Sequence, residues 1–277
     1  MEPFLPWPGS KAKCADKIIA HFPDSFLTYW EPFLGSGAVF FAMNDLAPNN
    51  PNARSFERAM LSDSNAKLIN CWRAVMDRPE HVKLMLGHCL ERNSEEFYHA
   101  MREQMDNPSV FLYVMRAAFN SMYRENLKGQ YNVPWRKQDF EINARRISFD
   151  TERIDECSLY MKAKNVTLSV AQWIDAIHDA KAGDLVYFDP PYLPYTETGF
   201  VNYVAGGFGE GDHVFLRTSA RLMAEKGITV VLSNSDVPAS RRIYGDPTTV
   251  ISVVNAVKAT ATEKGQRAEG LWVWKPK

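Results

Sequence analysis

The sequence predicts an α/β fold built on a mostly parallel sheet of about seven strands. Three observations carry this. Seven short β-rich runs, at residues 27–31, 60–63, 166–169, 184–189, 228–233, 249–254 and 270–275, are separated by stretches of helical pattern. The first run leads into a glycine-rich turn and then an apolar helix at 38–43, which together form the first unit of a nucleotide-type binding fold. The fourth contains Leu185-Val186-Tyr187-Phe188, a buried-strand run that stops abruptly in Asp189-Pro190-Pro191-Tyr192.

The composition supports a sizeable core: of 277 residues, 45% are hydrophobic and 23% charged. The longest apolar runs are strand-length, far short of a membrane span, and the first residues lack the basic and then apolar regions of a secretory signal. A cytoplasmic protein without membrane association is expected. Cys14, Cys71, Cys89 and Cys157 are widely spaced, with no Cys-x-x-Cys pair and no nearby histidine cluster, so reduced, packed thiols are expected and no metal. A formal net charge of −1 runs against a tight nucleic-acid binder, but it leaves room for an enzyme that releases DNA after each turnover.

About a hundred residues separate the second and third strand runs, and they read as helical at 66–77, 81–92, 94–104 and 109–123. Asn93-Ser94-Glu95-Glu96 and Asn107-Pro108-Ser109 are helix-start signals. A sheet crossover needs no such length. The expected organisation is a catalytic domain from residues 1–74 and 150–277, with an inserted, mainly helical domain at 75–149. Within the insert, the segment from Asn126 to Pro134 breaks the helical pattern with a glycine turn and flanking β-formers, which reads as a hairpin or extended loop. The Asn- and Pro-rich residues 44–56 read as a flexible surface insertion.

Chemistry concentrates at three strand ends. After the first strand, Glu31-Pro32-Phe33-Leu34-Gly35-Ser36-Gly37 lets backbone approach a ligand and faces it with amide N–H groups at a helix start. The loop is neither Gly-x-Gly-x-x-Gly nor a phosphate loop, which argues against NAD and ATP. After the second strand, Asp63 is either a helix cap or an acceptor for ribose hydroxyls. After the fourth, two prolines hold the backbone extended and leave the Asp189 carboxylate and the Pro190 carbonyl without strand partners at the carboxyl edge of the sheet, where ligands bind. Two acceptors suit an –NH₂ group with two hydrogens to donate, and Tyr192 offers a face for a planar base.

These residues resemble the amino-methyltransferases. Phe4-Leu5-Pro6-Trp7-Pro8-Gly9-Ser10-Lys11 is similar to the Pro-x-x-Trp-x-Gly-x-Lys opening of the Dam-like DNA adenine methyltransferases, and the order of segments matches their alpha group. The stretch from Phe119 to Pro134 resembles that family's DNA-reading hairpin. The resemblance spans nearly the whole chain. It implies a Rossmann-like methyltransferase sheet, with S-adenosylmethionine held by Trp7, Lys11, Phe33, Gly35, Ser36, Gly37, Asp63, Ser169 and Asp189, and Lys11 near the methionine carboxylate. It also implies that Asp189, Pro190 and Tyr192 carry out catalysis on an adenine flipped out of double-stranded DNA, without a metal and without an obligate protein partner.

The insert supports DNA binding on its own. From residue 116 to 146 there are seven basic residues, Arg116, Arg124, Lys128, Arg136, Lys137, Arg145 and Arg146, against three acids, Glu125, Asp139 and Glu141. Tyr123, Tyr131 and Trp135 are interleaved. Such charges often only solvate a helix face, but here they coincide with the hairpin. Arg124 is the first choice to read a guanine edge. The other expected DNA contacts are Asn120, Met122, Lys128, Asn132, Pro134 and Arg136. Three features depart from the family pattern: Pro6 where a lysine often precedes the tryptophan, no aromatic in Val166-Thr167-Leu168-Ser169-Val170, and an atypical loop at 260–266. The expected target is GATC or a related short site. The rival readings are a cytosine-N4 methyltransferase, which more often has Ser in place of Asp189; a protein-glutamine or RNA methyltransferase; and a catalytically silent DNA-binding relative.

Overall fold

The computed structural model describes residues 1–126, 128–136, 140–195, 208–253 and 267–276, with the side chains of 140–150 and of 252, 253 and 267 left aside. Leu127, Lys137, Asp139, Val254 and the 260–266 loop lie outside the described residues, as do the side chains of Glu141, Arg145 and Arg146. All seven expected strands are present: β1 (Thr28–Glu31), β2 (Arg58–Asp63), β3 (Thr167–Val170), β4 (Leu185–Phe188), β5 (Thr229–Ser235), β6 (Thr249–Val253) and β7 (Arg267–Trp274). They form one sheet in the order β3-β2-β1-β4-β5-β7-β6. The pairs from β3 through β5 are parallel, and β7 enters antiparallel between β5 and β6. This is a Rossmann-like sheet with one strand, β7, running against the rest.

Strand alternation splits the core into two layers. Tyr29, Leu185, Tyr187 and Val231 face one apolar cluster, which also holds Phe40, Phe41 and Trp72. Their neighbours Trp30, Val186, Phe188, Val230 and Leu232 face the other, with Leu216 and Trp272. β1, β4 and β5 are buried along their whole length, and in β4 this shows as an unbroken apolar run.

The first layer is covered by α1 (Ala15–Ile19), α2 (Ala38–Ala42), α3 (Ala66–Asp77), α4 (Pro79–Glu91), α5 (Glu95–Arg102), α6 (Pro108–Ala117) and α7 (Phe140–Ala163). Three helix starts are capped by side chains: Asn65 accepts from Leu68 N, Ser94 from Phe97 N, and Asn107 from Ser109 N and Val110 N ahead of Pro108. The helix expected at 109–123 stops at Ala117, because Ala118 turns extended and Asn120 and Ser121 take positive φ. The limits expected for the insert, near residues 75 and 149, fall inside α3 and α7, and Leu112, Tyr113 and Met161 share one apolar cluster with Tyr29 of the sheet. On the opposite layer lie α8 (Trp173–Ala176), α9 (Glu210–Glu225) and α10 (Pro238–Tyr244). Among the described residues no helix is long and apolar enough to cross a membrane.

Residues 44–56 differ from the expected flexible insertion, because side chains tie them down. The Asn50 side-chain amide donates to the Ala42 and Asn44 carbonyls, and Arg54 donates to the Ile19 carbonyl. Phe56 is buried, and Lys164 of the α7–β3 turn reaches both Asp45, at 2.6 Å, and the Phe56 carbonyl. All four cysteines are free and buried.

Candidate active site

The chain runs outward from β1 through β2 to β3 and returns to β4 on the other side of β1. A crevice therefore opens at the carboxyl ends of β1 and β4, and the Gly35 turn and the Asp189 tetrapeptide meet there. Asp184 ties the opposite end of this strand pair together. Its carboxylate accepts from Thr28 N, Trp30 Nε1 and Lys181 N.

Gly35 and Gly37 have φ of +48° and +61°. The turn also leaves no space for side chains. A Cβ on Gly35 would stand 2.8 Å from Trp7 Cδ1, and one on Gly37 would stand 2.4 Å from Trp72 Cη2. Asp63 closes the turn from β2: its Oδ2 accepts from Gly35 N at 3.2 Å and its Oδ1 from Asn65 N at 2.9 Å. Asp63 therefore does not cap α3 (Asn65 does), and each of its oxygens keeps acceptor capacity. Burial raises its pKa against the opposing backbone hydrogen bonds. Ser36 donates to Ser10 Oγ, joining the turn to the N-terminal segment. Phe33 lies against Trp173, Phe188 and Phe208. Ser169 sits opposite Ser62, one residue before Asp63. Beyond β3, Trp173 of α8 packs against Phe33 and Phe188.

The Asp189 carboxylate is not left free, as its position after the strand suggested. Lys11 Nζ lies 2.9 Å from Oδ2, and Ser233 of β5 donates to Oδ1 at 2.7 Å. Lys11 also donates to the Gly9 carbonyl and places its ammonium 4.6 Å from the centre of the Tyr192 ring. Burial alone would lower the Lys11 pKa, but the charges of Asp189 and Glu269 outweigh it and hold the ammonium above its ordinary value. The Tyr192 hydroxyl donates to Glu269 of β7 at 3.0 Å. Burial raises the Glu269 pKa, with Lys11 opposing. Glu31, beneath the turn, accepts from the Tyr29 hydroxyl, and burial drives its pKa well up. Pro190 is buried next to Asp189.

The loop after Tyr192 is clamped by β5. Asn234 Oδ1 accepts from Leu193 N, and Ser235 Oγ donates to the Leu193 carbonyl. Ser233, Asn234, Ser235 and Glu269 were missed from sequence. A run of three polar residues directly after the apolar stretch of β5 was the available signal.

Residues 122–126 and 128–136 run antiparallel, held by a bridge between Glu125 and Tyr131, with Asn126 N donating to Gln130 O. Lys128 N donates to Asn126 Oδ1. Arg124, Lys128, Asn132, Asn120 and Pro134 are exposed, and Arg124 Nε donates to Asn132 Oδ1 at 2.8 Å. Met122 is half-buried against the core, and the half-buried Arg136 donates to Ser121 Oγ, so these two lie less open than the others.

A family model, D12 class N6 adenine-specific DNA methyltransferase, matches residues 7–260. The chain belongs to this family. It is an adenine-specific DNA methyltransferase, and the methyl donor of such enzymes is S-adenosylmethionine. The methyltransferase is 33% identical over 258 residues to the type II methyltransferase M1.LlaDCHI of Lactococcus lactis subsp. cremoris, covering 89% of this chain and 85% of that one. It is 30% identical over 273 residues to the DNA adenine methylase of Vibrio cholerae, covering 94% and 88%. It is 28% identical over 287 residues to the DNA adenine methylase of Escherichia coli, covering 99% and 95%. The donor set fits: Asp63, beside the glycine turn, keeps acceptor capacity on both carboxylate oxygens for ribose hydroxyls.

Proposed function

We propose that this methyltransferase acts on N6 of adenine within a short site in double-stranded DNA, GATC or a close relative, after flipping the base out of the stack. Flipping follows from access, since an amine inside the duplex cannot reach a donor held in a protein crevice. The observation that carries the reading is the Asp189 carboxylate, fixed between Lys11 and Ser233 at the carboxyl end of β4 and next to Pro190. Each carboxylate oxygen can accept two hydrogen bonds, so an acceptor position remains for one amine hydrogen, and the Pro190 carbonyl takes the other. As the methyl–sulfur bond of the donor breaks and its methyl passes to the amine, positive charge would develop on the nitrogen, and the fixed carboxylate would stabilise it until the nitrogen gives up its proton to solvent. Tyr192, steadied by Glu269 and covered on one face by Lys11, gives its other face to the base.

S-adenosylmethionine, when bound, supplies a methyl group already activated on a positively charged sulfur. Trp7, Phe33, Gly35, Ser36, Gly37, Asp63 and Ser169 form its seat in this reading, with Lys11 between the donor's carboxylate and Asp189. Residues 75–149 act as the target-recognition insert. Arg124 has its Nε held by Asn132, and its two Nη groups form the fork for a guanine edge. Asn120, Met122, Lys128, Asn132, Pro134 and Arg136 make the neighbouring DNA contacts. The enzyme works in the cytoplasm, where its DNA lies.

The test is to treat unmethylated genomic DNA with the protein and the donor, then sequence it with base modifications detected directly. N6-methyladenine in one short context is expected, and Asp189→Ala abolishes it. Modification of cytosine, or activity of Asp189→Ala within tenfold of wild type, overturns the reading.

A further inference from the structure

Tyr123 belongs to the loop that carries Arg124, yet its ring stacks on Trp7, with centroids 5.1 Å apart and planes at 29°. Trp7 in turn lies over the Gly35 turn, so closely that a Cβ on that glycine would collide with its indole. The chain of contact continues from Gly35 N to Asp63 and from Trp72 Nε1 to the Gly35 carbonyl. On the other side, the Tyr123 hydroxyl donates to Glu125, and its ring meets Tyr131, whose hydroxyl donates to the Met122 carbonyl. Phe111 of α6 backs both Trp7 and Tyr123. One aromatic pair thus joins the turn assigned to the methyl donor to the loop assigned to DNA, although its two residues are far apart in sequence.

We infer that Tyr123 is a positioning residue through which DNA and S-adenosylmethionine bind cooperatively. The inference rests on the functional reading above. A ligand seated on the Gly35 turn beside Trp7 fixes the indole and, through the stack, the loop bearing Arg124. DNA on that loop fixes the indole from the other side. Whichever ligand comes first bears the ordering of the shared pair, so the second binds more tightly. The effect is reciprocal, because linkage makes the two affinity changes equal. An aromatic pair of this geometry corresponds to a coupling of about threefold to tenfold.

The experiment uses the full chain, S-adenosylhomocysteine as an unreactive probe of the donor site, and a duplex carrying the site the enzyme methylates. The dissociation constant of the probe is measured by calorimetry with and without saturating duplex. In wild type the duplex tightens the probe. In Tyr123→Leu that tightening falls by about threefold to tenfold, and the loss in turnover shows in KM for the donor rather than in kcat. Tyr123→Phe keeps the ring and lacks the hydroxyl, so it retains the coupling. Tyr123 is half-buried, and Tyr123→Gln repeats the test with a polar side chain should the leucine variant melt early. Undiminished tightening in the folded Leu or Gln variant overturns the inference, as does its equal loss in Tyr123→Phe. Wild-type protein that methylates no adenine fails the functional reading instead, so the two failures are told apart.

Discussion

Replacing Ser233 with alanine separates what this serine does for stability from what it does for the acceptor. Its Oγ lies 2.7 Å from Asp189 Oδ1, 2.9 Å from the Tyr187 hydroxyl and a much weaker 3.5 Å from the Phe188 carbonyl. A serine hydroxyl has one hydrogen. That hydrogen goes to the carboxylate, so Tyr187 donates to Ser233. Ser233→Ala therefore leaves the Tyr187 hydroxyl, fully buried, without its acceptor, at about 1–3 kcal/mol. It also removes a charge-assisted bond to Asp189 worth about 1.5–3 kcal/mol, part of which holds the carboxylate in the orientation the amine needs. The expected outcome is a stability loss of about 2.5–6 kcal/mol, together with a drop in kcat of about tenfold to a hundredfold. Urea unfolding measures the first, and single-turnover transfer of tritiated methyl measures the second. Adding Tyr187→Phe removes the orphaned hydroxyl, so the double variant regains about half the lost stability while kcat stays low. Recovery of kcat along with stability would show that Ser233 acts only as packing. A single variant with kcat within twofold of wild type refutes the orientation argument outright.

Three further outcomes follow from burial and geometry. Gly37→Ala sets a Cβ against Trp72, which Phe4 and Phe41 pin in place, and forces a left-handed backbone on alanine. A loss above about 2 kcal/mol is expected in thermal melts, and a change under 1 kcal/mol contradicts the clash. Asp184→Ala orphans two buried donors, Thr28 N and Trp30 Nε1, at the end of the sheet away from the site, so it should cost about 3 kcal/mol while the protein that remains folded keeps normal kcat. His213 is buried against Tyr244, and burial lowers its pKa from 6.5 to about 4, with Asp212 and Glu210 opposing. The unfolded chain binds a proton there that the folded chain refuses. Its contribution is therefore whole above pH 6.5 and falls away as pH drops toward 4, by on the order of 3 kcal/mol. Urea melts across this range should be steeper in pH for wild type than for His213→Phe, and equal slopes would exclude His213 as the group.

β4 was legible because burial on both faces shows as an unbroken apolar run, and β5 because it carries Val230, Val231 and Leu232 near its start. Helix α3 was legible because Asn65 opens it and its apolar positions recur at helical spacing. Helix α7 was not. Its buried positions Ile154, Cys157, Tyr160 and Met161 lie among charged residues and follow a stretch whose glycine and proline suggested only a loop. The Asp189 and Gly35 motifs could be read locally, since each is a strand end with its own chemistry. Ser233 and Glu269 could not, because their value depends on which strands lie beside β4. Strand order is a long-range property, and no local pattern announces that β7 inserts between β5 and β6.

That insertion also bears on how the molecule comes to exist. β5 and β6 never touch as neighbours; each is bridged only by β7. While a ribosome is still making residues 254–266, β5 therefore offers an unpaired edge of Val230, Val231 and Leu232, and Tyr192 has no Glu269 to hold it. A nascent chain arrested there has its glycine turn and its Asp189 but an unsealed sheet, exposed to sticking to other chains. The acceptor site is complete only once the returning strand is laid into the gap.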